Sequence, residues 1–234
     1  TSSTLMNDYG KLGVWPDGYY MSFNEFDGST YAFKGASVAV FERDKMLLGQ
    51  VARMIYFDLG LVNMNYYALL PSDLDGMPPT AGTPNYFVSW DDSTWMSDPS
   101  DTLRVWEFKT DWVNIANTTF GLNSNYDPNL KIATANVDPD MCASVRNCIP
   151  QPDTTSKLDA ISDRLMYRLQ FRNFGTHQTL VGNHTVDATG TDQAGVHWFE
   201  LRNTGAGFGM HQEGVYAPDS ENRWMASAAM DASG

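Results

Sequence analysis

Apolar and polar residues alternate in short runs along most of this chain, and Asp, Gly, Pro and Asn break the runs. A period of two puts successive side chains on opposite faces, the signature of a half-buried β-strand. Three runs end in an aromatic residue followed by Glu: "GASVAVFER" (35–43), "DTLRVWEF" (101–108) and "AGVHWFEL" (194–201). Their β-branched and aromatic content predicts strands. Aligned on Glu42, Glu107 and Glu200, each has a strand upstream: "GYYMSFNEF", "PNYFVSWDD" and "HQTLVGNHTVD". In this alignment Ser22, Ser89 and Gly182 are equivalent. A third strand follows each: "RMIYFDL" (53–59), "NTTFGL" (117–122) and "FGMHQEGVY" (208–216).

A leading strand completes each unit, at "KLGVWPDG" (11–18), "YALLPSDLDG" (67–76) and "RLMYRLQFRNFG" (164–175). Asp-Gly turns suit tight hairpins, because Asp accepts a bond from the backbone just downstream and Gly takes positive φ. Four antiparallel strands recurring at roughly 65 to 95 residues predict an all-β fold, a β-propeller of four-stranded blades. The predicted blades are 11–59, 67–122 and 163–216, with the start of another at "RWMASAAMDASG" (223–234). That makes about three and a third blades, where propellers close with about four to eight. The expectation is therefore a single propeller region over 1–234 that belongs to a longer chain, or whose remaining blades come from another chain. An irregular β-sandwich is the alternative fold.

The interval 123–158 reads as an insertion between blades and carries both cysteines. Cys142 and Cys148 lie in the Pro- and Asp-rich stretch "DPDMCASVRNCIP", where a disulfide is expected and two free thiols are the alternative. A zinc-type spacing with further Cys or His nearby is missing. A short helix is predicted at "TTSKLDAISDRL" (154–165), with Thr155 or Ser156 as cap and Leu158, Ile161 and Leu165 on one face.

Composition narrows the function classes. The net charge is −13, from 15 basic against 28 acidic residues. Backbone affinity for nucleic acid needs Lys and Arg to neutralise phosphates, so no nucleic-acid partner is expected. No apolar run reaches the length of a membrane span, and "TSSTLMNDYG" is not a signal peptide, although a mature or excised chain would look the same. Hydrophobic residues are 42% and aromatic residues 13%, ample for a core.

Candidate chemistry is sparse. Arg164, Arg168 and Arg172 recur every four residues, which on one strand places them on one face. Such a row fits an acidic sugar through bidentate contacts to carboxylate, or salt bridges between blades. All four histidines, His177, His184, His197 and His211, fall in the third unit without a short ligand spacing. Arg168, His177 and Arg172 are the candidate catalytic residues. Trp15, Asp17 and Tyr19, in "VWPDGYYMSFNEF", are the candidate ligand-binding residues, although packing between blades explains the aromatics equally well. Asp73 and Asp75, with Asp138 and Asp140, resemble oxygen-rich loops, and Ca2+ is the one cofactor they suggest. "NTT" (117–119) and "NHT" (183–185) match the N-glycosylation pattern. No nucleophile elbow, phosphate loop, dinucleotide fingerprint or zinc-protease motif occurs.

Together, "KLGVWPDGYYMSFN", "DRLMYRLQFRNFGTHQTLVGNHTVD", "GVHWFELR" and "RWMASAAMD" resemble the β-propeller-type repeats of large secreted bacterial proteins. The resemblance covers about Lys11 to Gly234 and implies an extracellular or cell-surface location, with no reaction to carry over. It extends distantly to the Asp-box (BNR-type) repeats of sialidases. "SWDDSTW" (89–95) is one residue short of that box and has Ser93 where Gly belongs, and "MYRLQ" (166–170) lacks the Pro of the family's Arg-bearing strand. The function expected is a non-catalytic extracellular module for binding, adhesion or assembly, with a glycan or a cell-surface protein as partner. The alternative is a carbohydrate-active propeller, a glycosidase or polysaccharide lyase acting on an acidic glycan.

Overall fold

A computed structural model describes residues 4–95 and 98–234. The chain divides into two compact units, Thr1–Ser89 with Arg104–Leu130, and Trp90–Leu103 with Lys131–Gly234. The fold is all-β and antiparallel, with one α-helix, α1 (Arg43–Leu47), and two short 3-10 turns among the described residues.

In the first unit, β1 (Leu5–Val14), β2 (Tyr19–Asp27), β3 (Phe33–Phe41) and β4 (Met54–Asp58) form a sheet in the order β1-β2-β3-β4. A second run of neighbours is β5 (Leu70–Asp75), β6 (Asn85–Asp91), β7 (Thr102–Lys109) and β8 (Thr119–Phe120). The core of this unit is aromatic. Tyr20 meets Phe108 edge-on at 5.2 Å between ring centroids, Phe87 meets Phe120 at 5.5 Å, and Tyr66 meets Trp106 at 5.2 Å. Edge-to-face pairing aims a positive ring edge at a negative ring face. Polar clasps complete the packing: the Ser22 hydroxyl donates to the Leu69 carbonyl, and Asn24 Oδ1 accepts from the Ala68 N–H at 2.8 Å.

The second unit contains most of β9 (Leu130–Ala133), the hairpin of β10 (Asn147–Ile149) with β11 (Leu158–Asp159), and a four-stranded meander. The meander is β12 (Leu169–Asn173), β13 (Gln178–Asp187), β14 (Ala194–Asn203) and β15 (Phe208–Tyr216), paired in sequence order. Period two sorts its side chains by face. Phe171, Leu180, Phe199 and Leu201 are fully buried on one face, each worth about 1.5–3 kcal/mol of transfer from water. The Phe199 ring lies over Gly182, where a Cβ would come within 2.7 Å of it. The other face carries Gln170, Thr179, Asn183, Thr185, Trp198, Glu200 and Gln212. Cys142 and Cys148 form a disulfide beside a small core of Met141, Ile149, Ala160 and Ala194.

Several sequence expectations give way to this structure. Residues 154–165 form no helix. Leu158 and Asp159 pair with β10 instead, and the Asp159 carboxylate accepts from the Ile161 N–H, making a turn that competes with a helix. Residues 223–234 form no strand and lie as an irregular tail. Of Arg164, Arg168 and Arg172, only Arg172 belongs to a strand, so the three do not share a strand face. The Glu alignment also fails in register: Glu200 sits mid-strand opposite Val181, whereas Glu42 lies beyond the end of β3.

Candidate functional site

The tail and the polar face of the meander build a cleft of about 460 Å³. That face reads the tail's backbone through side chains set two residues apart. Thr185 Oγ1 accepts from the Met225 N–H at 3.1 Å. Asn183, with its amide turned to satisfy both partners, donates to the Ala226 carbonyl at 3.1 Å and accepts from the Ala228 N–H at 3.2 Å. Gln170 donates to the Met230 carbonyl at 3.0 Å and accepts from the Met230 N–H at 2.5 Å. Arg172 Nε donates to the same carbonyl at 2.9 Å. Gln170, Asn183 and Thr185 are buried, so the tail supplies partners that water cannot.

Beyond the tail the cleft is lined by Val181, Trp198, Glu200 and Gln212 from the sheet, and by Met230 and Asp231 from the tail. Glu200 is 1% exposed. Its Oε1 accepts from Arg202 Nε at 2.9 Å and Nη2 at 2.6 Å, and its Oε2 accepts from Gln212 Nε2 at 2.8 Å. This clamp holds Gln212 with its Oε1 unspent. Trp198 is half-buried and stands over Gly214, where a Cβ would come within 3.3 Å of the indole. Its N–H makes no hydrogen bond among the described residues. Asp231 is held below its ordinary carboxyl range by the Ser233 hydroxyl and N–H, both donating to Oδ1, which leaves Oδ2 as an acceptor. The cleft therefore offers one aromatic surface, one donor and one acceptor on the sheet face, Gln212, with a second acceptor, Asp231, on the tail.

A second constellation lies on the opposite face of the same meander. His184 and His197 are direct cross-strand partners, both fully buried. His184 Nε2 and His197 Nδ1 are 2.8 Å apart, and His197 Nε2 lies 3.0 Å from Glu213 Oε2. Glu213 Oε1 accepts from the Ala135 N–H at 3.0 Å. Because the carboxylate only accepts, His197 Nε2 carries a proton, His197 Nδ1 accepts, and His184 Nε2 donates. His184 Nδ1 makes no well-formed hydrogen bond, although backbone groups of Ser162 and Thr185 act on the ring. Trp90 stacks on this ring at 4.4 Å. Burial pushes both imidazoles below their ordinary range, with the neighbouring His197 adding to the effect at His184 and with Glu213 and Asp101 opposing it at His197. Two neutral imidazoles and the Glu213 carboxylate thus form a relay that anchors the loop at Ala135.

The residues singled out in the sequence are scattered. Trp15 is a core residue whose Nε1 donates to the Thr83 carbonyl at 3.1 Å. Asp17 accepts from the Tyr20 hydroxyl at 3.1 Å, its backbone carbonyl accepts from Trp112 Nε1 at 2.7 Å, and burial raises its pKa. Tyr19 lines a small apolar groove with Leu12, Phe41 and Met46. His177 stacks on Phe174 at 4.9 Å, and its Nδ1 pairs with the Thr176 hydroxyl. Arg168 is half-buried just before β12. Neither Arg168, His177 nor Arg172 lines the Trp198 cleft.

Asp73 accepts from the Val14 N–H at 2.9 Å, Asp138 from the Asp140 N–H at 2.8 Å, and Asp140 from the Ser144 hydroxyl at 2.7 Å. Among the described residues, the one group of three metal-ligating side chains within 4.8 Å is Cys142, Cys148 and Asp192, and its sulfurs are joined in the disulfide. Neither Asp73 and Asp75 nor Asp138 and Asp140 belong to such a group. Asn117 is exposed, but Asn183 is fully buried, so the second glycosylation match is closed to modification in the folded chain.

No protein-family model matches the chain, and no curated protein matches it.

Trp198 was missed in the sequence although a signal was there. In "VHWFELR" it stands two residues before Glu200, so the two must share a strand face.

Proposed function

We propose that this chain is an extracellular module that binds a glycan without transforming it, on a framework of β-propeller type. The observation that carries the reading is the Trp198 cleft, where an aromatic surface meets unspent polar groups. Ligand sites combine such an apolar wall with a few fixed polar groups. The electron-rich indole face matches the partly positive C–H bonds on one face of a pyranose ring. Gln212 and Asp231 can accept from its hydroxyls.

Antiparallel strands paired in sequence order, as in β1–β4 and β12–β15, are the kind of arrangement from which propeller blades are built. The disulfide favours an oxidising compartment. A binding role is favoured over catalysis because the side chains nominated for chemistry do not line this cleft, and because the buried carboxylate in it, Glu200, is bound by Arg202 and Gln212. A retaining glycosidase needs two carboxyl groups about 5 Å apart and free to react.

Incubation with a panel of polysaccharides tests both halves. Saturable retention on at least one glycan, with no new reducing ends and no unsaturated product, is expected. Retention on none would defeat the glycan reading, and turnover of any would defeat the non-catalytic one.

A further inference from the structure

We propose that the Trp198 cleft selects an uncharged, hydroxyl-rich saccharide rather than an acidic one. The inference rests on the glycan reading above and narrows it.

Charge decides the selectivity. The cleft lining contains Glu200 and Asp231 and no Lys or Arg. The nearest arginine in the sheet register, Arg202, spends Nε and Nη2 on Glu200, and the pair leaves no net positive charge. Arg172 lies on β12; its Nε is held by the Met230 carbonyl, and its charge is set against Asp231, whose carboxyl it helps to hold low. A sugar carboxylate or sulfate entering the cleft would lose water and meet only arginines whose charges are already offset, Arg202 by Glu200 and Arg172 by Asp231. The chain's net charge of −13 opposes an anion at longer range.

Hydrogen-bond polarity agrees. Gln212 Oε1 and Asp231 Oδ2 accept, and the Trp198 N–H donates. Sugar hydroxyls do both, so one pyranose can satisfy all three groups while stacking on the indole face that Gly214 does not cover. A carboxylate only accepts and would serve the Trp198 N–H alone. The acidic-glycan alternative read from Arg164, Arg168 and Arg172 loses its support here, because the three share no strand face and none of them lines the cleft.

The test uses the full chain. Isothermal titration would compare hexamers of glucose, mannose, xylose and N-acetylglucosamine with oligomers of galacturonic and mannuronic acid. The expected result is binding to at least one neutral hexamer, unchanged between 50 and 500 mM salt by a factor of more than about two, and weaker binding to every acidic oligomer. Trp198→Ala should weaken the neutral interaction about tenfold or more, and Trp198→Phe should recover part of it. Gln212→Ala and Asp231→Ala, both at exposed positions, should each weaken it several-fold if Trp198→Ala does not fold. Salt-sensitive binding to acidic oligomers alone would overturn this inference and leave the glycan reading standing. Neutral binding indifferent to all four substitutions would also overturn it, by placing the site elsewhere. No binding to any oligomer would overturn both.

Discussion

Acidification from pH 7 to pH 5 should destabilise this protein through the His184–His197 pair. Both imidazoles are fully buried, and burial holds both below the ordinary histidine range near 6.5. In the unfolded chain each takes up a proton as the pH falls through about 6.5. The native state resists that uptake, so below this point it binds fewer protons than the unfolded state and stability falls with pH. The slope is about 1.4 kcal/mol per pH unit for each proton withheld. A histidine that stays neutral at pH 5 in the native protein therefore costs about 2 kcal/mol there, and the pair together costs about 2–4 kcal/mol. Glu213 and Asp101 favour the His197 cation and set the lower end of that range. Carboxylates with lowered pKa values, Glu42, Asp111, Asp187, Asp219 and Asp231, act in a lower window. Their stabilisation is lost only as the pH drops through the carboxylate range, so it does not mask the histidine window. Urea unfolding followed by tryptophan fluorescence at pH 7, 6 and 5 reads the effect, provided the m-value is constant. Replacing His184 by Gln should reduce the pH slope by about one proton. Equal stability at pH 7 and pH 5, or an undiminished slope in the variant, would refute the reasoning.

Other consequences are equally direct. Non-reducing mass spectrometry should find no alkylatable thiol, and Cys142→Ser with Cys148→Ser should cost about 2 kcal/mol by loop-closure entropy; two labelled cysteines in the untreated protein would contradict the bridge. Asn183→Ala removes two bonds to the tail and should cost about 2–4 kcal/mol. Amide exchange at 225–230 should accelerate with it, and unchanged protection would mean the tail is held by other contacts. Gly182→Val should destabilise by about 1–3 kcal/mol or more, because even a Cβ collides with the Phe199 ring; a denaturation midpoint equal to the parent's would show that the ring has room to move.

What alternation alone could determine was local. It located β2, β3, β13, β14 and β15 to within a few residues, because a half-buried strand imposes period two on its own sequence. It marked the all-β class and the pairing of Cys142 with Cys148. It failed where a partner decides the conformation. Residues 154–165 have helical spacing, but Leu158 and Asp159 pair with β10 instead. Residues 223–234 read as a strand, yet Gln170, Asn183 and Thr185 bind their backbone from sheet side chains 40 to 60 positions away in the chain. Whether His184 faces His197 depends on the register of the β13–β14 hairpin, and a slip of one residue would send the pair to different neighbours. The Trp198 cleft is further still from local reading. Its sheet wall follows from period two, but its other wall is the tail. Tertiary structure alone decides that juxtaposition, because the bonds from Gln170, Arg172, Asn183 and Thr185 all go to the tail's backbone, which its sequence does not mark.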